Sequence, residues 1–197
     1  ITLPQEEMSF GYGKIILTGE HSVVHGTHAV AAPITLKMKA KVWEREKGVR
    51  IVIPRWGVEQ TMEFGANHRY SIYQSLEMIL KTLGLSTKGM KIEVFPEVPR
   101  AMGMGGSAAL AVAIIRALDT HFELGLTDNE VRELSFKSEN IIHGGASGID
   151  NTVSTYGDLI LFQRNEPPKM DVLKLEKPIP IVIGLSGVES MTSQMVK

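Results

Sequence analysis

Apolar residues change their period several times along this chain, and each change marks a predicted element. Lys14 to Leu17 and Val30 to Val42 read as strands. In TLKMKAKVWE polar and apolar positions alternate, which predicts one buried and one solvated face. Arg45, Glu46, Lys47 and Gly48 then read as a hairpin turn into a next strand, VRIVI. Between His68 and Leu83 the period lengthens: Ile72, Leu76, Ile79, Leu80 and Leu83 fall on one helical stripe, and Gly84 ends it. MKIEVF, from Met90 to Phe95, returns to strand, and a small, apolar run starting near Ser107 reads as a helix through Phe122. Thr127, Asp128, Asn129 and Glu130 have the form of a capping box and open a helix through Ile142. Thr152 to Gln163 and Ile179 to Gly184 read as strands, and Glu166-Pro167-Pro168 as a loop. Strands and helices in mixed order, with no regular βα alternation and no internal repeat, predict an α+β layer arrangement.

Composition narrows the class. The chain has 197 residues with 43% hydrophobic content, enough for one sizeable core and part of a second lobe. A net charge of −1 with mixed signs throughout points to neither nucleic acid nor an acidic membrane surface as a partner. The longest wholly apolar run, Ala108 to Ile115, stops at Arg116, short of the roughly 18 residues a membrane span requires. Zero cysteines exclude disulfides and thiolate metal sites and fit a reducing compartment. Glu6 and Glu7 stand where a signal peptide would be basic and apolar, although the chain opens at Ile1 rather than Met, which leaves room for a leader.

The candidate chemistry begins at VPRAMGMGGSAAL, residues 98–110, a glycine-rich turn between a predicted strand and a predicted helix. A helix start offers backbone N–H groups without helical partners and the positive end of the macrodipole, so anions are favoured there. Gly103, Gly105 and Gly106 allow positive φ and close approach of the main chain to a phosphate. The P-loop pattern fails, because Gly13-Lys14 is followed by Ile15 and not by Ser or Thr. Gly103 to Ala108 fits GxGxxG/A. However, no strand ending in an acidic residue follows the helix, as a dinucleotide fold requires. A glycine-rich tight connection with no ligand is the competing reading of the loop by itself.

Two further segments change that balance. GKIILTGEHSVVHG, from Gly13 to Gly26, places a lysine, a glutamate and histidines around an apolar strand, and HGGASGIDNTVSTYG, from His143 to Gly157, carries an aspartate in a glycine-flanked turn. In order and approximate spacing, these and the PRAMGMGGSAA loop resemble the ATP-dependent kinases of galactose, homoserine, mevalonate and phosphomevalonate. GEHSVVHG and SGIDN are similar to the mevalonate kinase branch. The Thr-Asp-Tyr that follows Gly-Glu-His in galactokinases is absent.

The resemblance implies a mixed sheet backed by helices, like a ribosomal-protein domain, over residues 1–184. It implies that 185–197 open a truncated C-terminal lobe. The implied reaction is transfer of the γ-phosphoryl of ATP to the 5-hydroxyl of mevalonate, with Mg²⁺, in isoprenoid and sterol precursor synthesis. The implied protein is a cytoplasmic enzyme, with an organelle such as the peroxisome left open, and either a monomer or a homodimer. A kinase of another small alcohol and a non-catalytic ATP-binding module are the alternatives.

By the resemblance, Asp150 is the base that takes the hydroxyl proton, and Lys14 pairs with it and polarises that hydroxyl. Met102, Gly103, Met104, Gly105, Gly106, Ser107 and Ala108 hold the nucleotide phosphates. Ser107 and Glu139 are the Mg²⁺ ligands, as hard oxygen donors should be. His21 and Glu20 form the substrate end, with Glu20 orienting Lys14, and Thr192 lies near the substrate. Each residue also has an ordinary reading: an Asx-turn or helix cap for Asp150, a surface lysine for Lys14, a helix N-cap for Ser107, and a solvated helix residue contacting His143 for Glu139. His21, His25 and His28 suit a zinc site only in their spacing, since Ser22 stands where H-E-x-x-H has its glutamate. The loop departs from the family's PxGAGLGSSA at Ala101 and Gly106, and Ser190 stands where many members have arginine.

Overall fold

The computed structural model describes residues 8–62, 64–65 and 71–185. Its organising element is one long strand, β2 (His28–Glu44). β1 (Ser9–Thr18) pairs antiparallel along one edge of β2. The opposite edge is shared by β5 (Met90–Pro96), antiparallel at residues 38–44, and β6 (Ile160–Gln163), antiparallel at residues 28–31. β3 (Val49–Ile53) lies parallel to β5, β4 (Val58–Met62) closes that side, and β7 (Lys169–Val172) pairs with β6. The result is a mixed seven-stranded sheet.

The alternation read in β2 holds. Met38, Ala40 and Val42 are buried and face the helices, while Lys37, Lys39 and Lys41 lie on the other face. The hairpin expected at Arg45–Gly48 does not form a strand pair. Chain direction reverses there, but β5 inserts between β2 and β3 and pairs with both.

Helices α1 (Ser71–Thr82), α2 (Gly106–Phe122), α3 (Asp128–His143) and α4 (Ile149–Tyr156) back the sheet. α2 is buried along most of its length, from Ala108 to Leu118, and packs on β1 and β2. Its small residues allow this closeness: a Cβ on Gly11 of β1 would lie 2.3 Å from the Ala109 carbonyl oxygen. α3 opens with the expected capping box, in which the Thr127 hydroxyl accepts from the Glu130 N–H and the Glu130 carboxylate accepts from the Thr127 N–H.

Two strand expectations are corrected. The segment Thr152–Gln163 is helix α4 up to Tyr156 and strand only from Ile160, with Gly157 in the left-handed conformation between them. Residues 179–184 carry no strand; Ile179 and Val182 are 64% and 96% exposed.

Burial divides into two clusters. The larger one lies under α1, α2 and α3 against β2, β3 and β5. The smaller, made of Val23, Ala29, Ala31, Ile149, Val153, Ile160 and Phe162, joins α4 to the other end of β2.

Candidate active site

The register of β1 shifts between Tyr12 and Lys14, where β2 presents Pro33, a residue without an N–H. The Lys14 N–H donates to the Met104 carbonyl, at 3.0 Å. This main-chain bond ties the glycine-rich loop to β1 and brings the Lys14 side chain beneath the loop. A Cβ on Gly105 would meet the Lys14 Cγ at 2.8 Å, and Gly105 sits at φ +66°. Only glycine fits there.

Gly103 is also left-handed, at φ +72°, whereas Gly106 has no positive φ and lies within α2. Of the three glycines free to take positive φ, Gly103 and Gly105 use that freedom and Gly106 does not. Ala101, in the same loop, takes φ +54° despite its Cβ. Ser107 is not the N-cap. That position belongs to Gly105, whose carbonyl accepts from the Ala109 N–H, and the N–H groups of Gly106, Ser107 and Ala108 are left without helical partners. α2, with 17 residues, aims its positive end at this point. Met104 is buried and Met102 half-buried against the main core, so the two methionines anchor the loop while Gly103 is exposed.

Lys14 and Asp150 come from distant segments and meet: Nζ lies 3.1 Å from Oδ1. The lysine side chain is 5% exposed and the carboxylate 30%, so the pair is buried on the lysine side and open on the aspartate side. Lys14 is therefore no surface lysine. Asp150 stands in the first turn of α4, after the left-handed N-cap Gly148, and not in a free glycine turn. The far end of α4 is fixed to β1 as well, since a Cβ on Gly157 would lie 2.4 Å from the Tyr12 ring.

Glu139, on α3, is 3% exposed, so the solvated-helix reading fails. Burial pushes its carboxyl up to about 7; Asp150 adds to the rise, while the neighbouring Ser107 hydroxyl and Lys14 ammonium pull against it. Its Oε1 is buried with no hydrogen-bond partner. An orphaned carboxylate oxygen beside a serine hydroxyl is the donor set a hard divalent cation takes up. Residues present and cation therefore fit. His143 ends α3; its Nε2 lies 3.2 Å from the Ser107 Oγ and 3.8 Å from the Glu139 Oε2. Burial holds the imidazole below its ordinary pKa, against the pull of the Asp150 carboxylate.

Four elements thus bring Lys14, Ser107, Glu139 and Asp150 to one place. Residues 71–158 match the family described as GHMP kinases N terminal domain. Similarity beyond that segment extends to the curated mevalonate kinase of Thermococcus sibiricus, 34% identical over 93% of this chain and 58% of that protein. The mevalonate kinase of Pyrococcus furiosus is 32% identical with the same coverage. The chain thus spans 58% of the length of these curated relatives. Among solved structures, L. major mevalonate kinase in complex with R-mevalonate is 33% identical, with a TM-score of 0.68 over 85% of this chain and 51% of that one. Methanococcus jannaschii mevalonate kinase, at 24% identity and a TM-score of 0.75 over 88% of this chain and 58% of that one, shares the fold.

Other expected site residues stand apart. Glu20 and His21 are exposed in the turn after β1. Lys14 is given to Asp150 and not to Glu20. Four strand steps, about 13 Å at the usual rise, separate Lys14 from Thr18, before Glu20 is reached. Thr192 and Ser190 lie outside the described residues. Sequence reasoning missed the Ser107–His143 bond and the docking of Met104 on Lys14. Gly13 beside Lys14, with a proline two residues into AAPI, was the available signal for a bulge.

Proposed function

We propose that this domain takes part in ATP-dependent phosphorylation of the 5-hydroxyl of mevalonate. The observation that carries the reading is the Lys14–Asp150 pair beside the open N-terminus of α2. Main-chain N–H groups at Gly106, Ser107 and Ala108 receive the phosphates of ATP. Lys14, packed beneath Gly105, keeps the substrate hydroxyl oxygen near the Asp150 carboxylate. As that oxygen forms its bond to the γ-phosphorus, the bond from phosphorus to the bridging oxygen breaks, ADP leaves with the electron pair, and Asp150 accepts the hydroxyl proton. Ser107 and Glu139 would hold Mg²⁺, which when bound neutralises charge on the phosphate oxygens during transfer. A base supplies about 10²–10⁴-fold, so positioning and electrostatics supply the larger share. The mevalonate kinase similarities of the T. sibiricus and L. major proteins support mevalonate over other alcohols.

The test is ADP release by the full-length protein with Mg-ATP and, separately, mevalonate, phosphomevalonate, galactose or homoserine. A response confined to mevalonate is expected; a response to another alcohol, or to none, rejects the substrate. Asp150→Asn is expected to lower kcat by about 10²-fold or more while ATP affinity stays within about twofold. Wild-type turnover in that variant removes Asp150 as the base.

A further inference from the structure

His143 has no part in the transfer as described, yet it touches both oxygen donors of the cation site. A serine hydroxyl has one proton and two lone pairs. A cation takes a lone pair, so the Ser107 proton has to point elsewhere. The Glu139 carboxylate and the His143 Nε2 are both in reach as acceptors. The carboxylate oxygens that face a cation are already engaged by it, and the imidazole is not.

We infer that His143 is a positioning residue whose unprotonated Nε2 accepts the Ser107 hydroxyl proton and so turns the Ser107 lone pairs toward the divalent cation of the nucleotide. The inference rests on the reading of Ser107 and Glu139 as cation ligands. A neutral imidazole has one N–H, so acceptance at Nε2 fixes the proton on Nδ1. The placement is built into the fold, because the last residue of α3 meets the second residue of α2 only if both helices end where they do.

The tautomer can be read directly. In full-length protein labelled with ¹⁵N at histidine and loaded with Mg-ADP, the His143 resonances should show a bare Nε2 and a protonated Nδ1, and Ser107→Ala should move the Nε2 signal. Binding of Mn²⁺ in the presence of ADP, followed by water-proton relaxation, supplies a second readout. His143→Leu fills the space without an acceptor and should weaken Mn²⁺ about tenfold; His143→Gln restores an acceptor and should stay within about threefold of wild type. ADP affinity without metal should be unchanged in both. A proton on Nε2, or wild-type Mn²⁺ affinity in His143→Leu, overturns the role of His143. Wild-type Mn²⁺ affinity in Ser107→Ala removes Ser107 as a ligand and overturns both readings together. Weakened binding in Ser107→Ala with wild-type binding in His143→Leu overturns this inference alone.

Discussion

A methyl group added at Gly105 would lie 2.8 Å from the Lys14 Cγ on a backbone held at φ +66°, whereas one added at Gly106 would meet the Met38 Cε at an ordinary 3.6 Å. Left-handed geometry alone costs an L-residue about 1–2 kcal/mol, and a helical glycine is about 0.5–1 kcal/mol worse than alanine. Gly105→Ala should therefore lose about 2 kcal/mol or more in denaturant unfolding, and Gly106→Ala should lose nothing. Equal losses at the two positions would reject this account of the loop. Glu139 offers a second test at this scale. Its carboxyl titrates at about 7 when folded against an ordinary 4.5, so between those values the folded chain binds the extra proton and stability falls as pH rises. Above pH 7 the ionised group costs about 3 kcal/mol. In Mg²⁺-free buffer, Glu139→Gln should be more stable than wild type at pH 8, and the difference should vanish near pH 4.5. A difference independent of pH would show that burial is not what raises the group.

The end of α2 isolates a single conformational cost. Its C-cap is Glu123, exposed and left-handed at φ +51°. Glu123→Gly removes the Cβ clash and raises unfolded-chain entropy, for a net gain of about 1 kcal/mol, or about 2–4 °C in melting temperature. No gain would mean that Glu123 makes up its strain through its side chain. Elements like this one were legible where the signal is local. The Thr127 capping box, the stripe on α1 and the alternation in β2 depend on residues close in sequence. The β2–β3 hairpin was misread because its real partner, β5, arrives 37 residues after β3 ends. α4 was misread because Thr152, Val153 and Thr155 favour strands in isolation, and burial against β1 and β2 overrides that preference. The site itself was legible as a set: Lys14, Ser107, Glu139 and Asp150 meet. What could not be read was the atom-level wiring, such as Met104 to Lys14, which depends on a bulge.

Across the molecule, the site spans the two buried clusters. Ser107 and Glu139 stand on helices of the larger one, and Asp150 on the helix of the smaller. Phe162, fully buried, backs Gly148 at the start of that helix. Phe162→Leu should cost up to about 1.5 kcal/mol and should speed amide hydrogen exchange in α4 more than in α2. Uniform acceleration would mean that the clusters open as one unit. No helix among the described residues is long and apolar enough to cross a membrane. The place of β5 between β2 and β3 also sets an order of events at the ribosome. A nascent chain that has emerged only to Gly65 already contains β1 to β4, yet the edges of β2 and β3 that β5 will occupy are both open. Until Pro96 emerges, two halves of one sheet face solvent with unpaired backbone, the state most exposed to wrong partners. The phosphate loop follows within ten residues of that closure, so the newborn sheet is sealed and the nucleotide cradle laid on it in nearly the same step of synthesis.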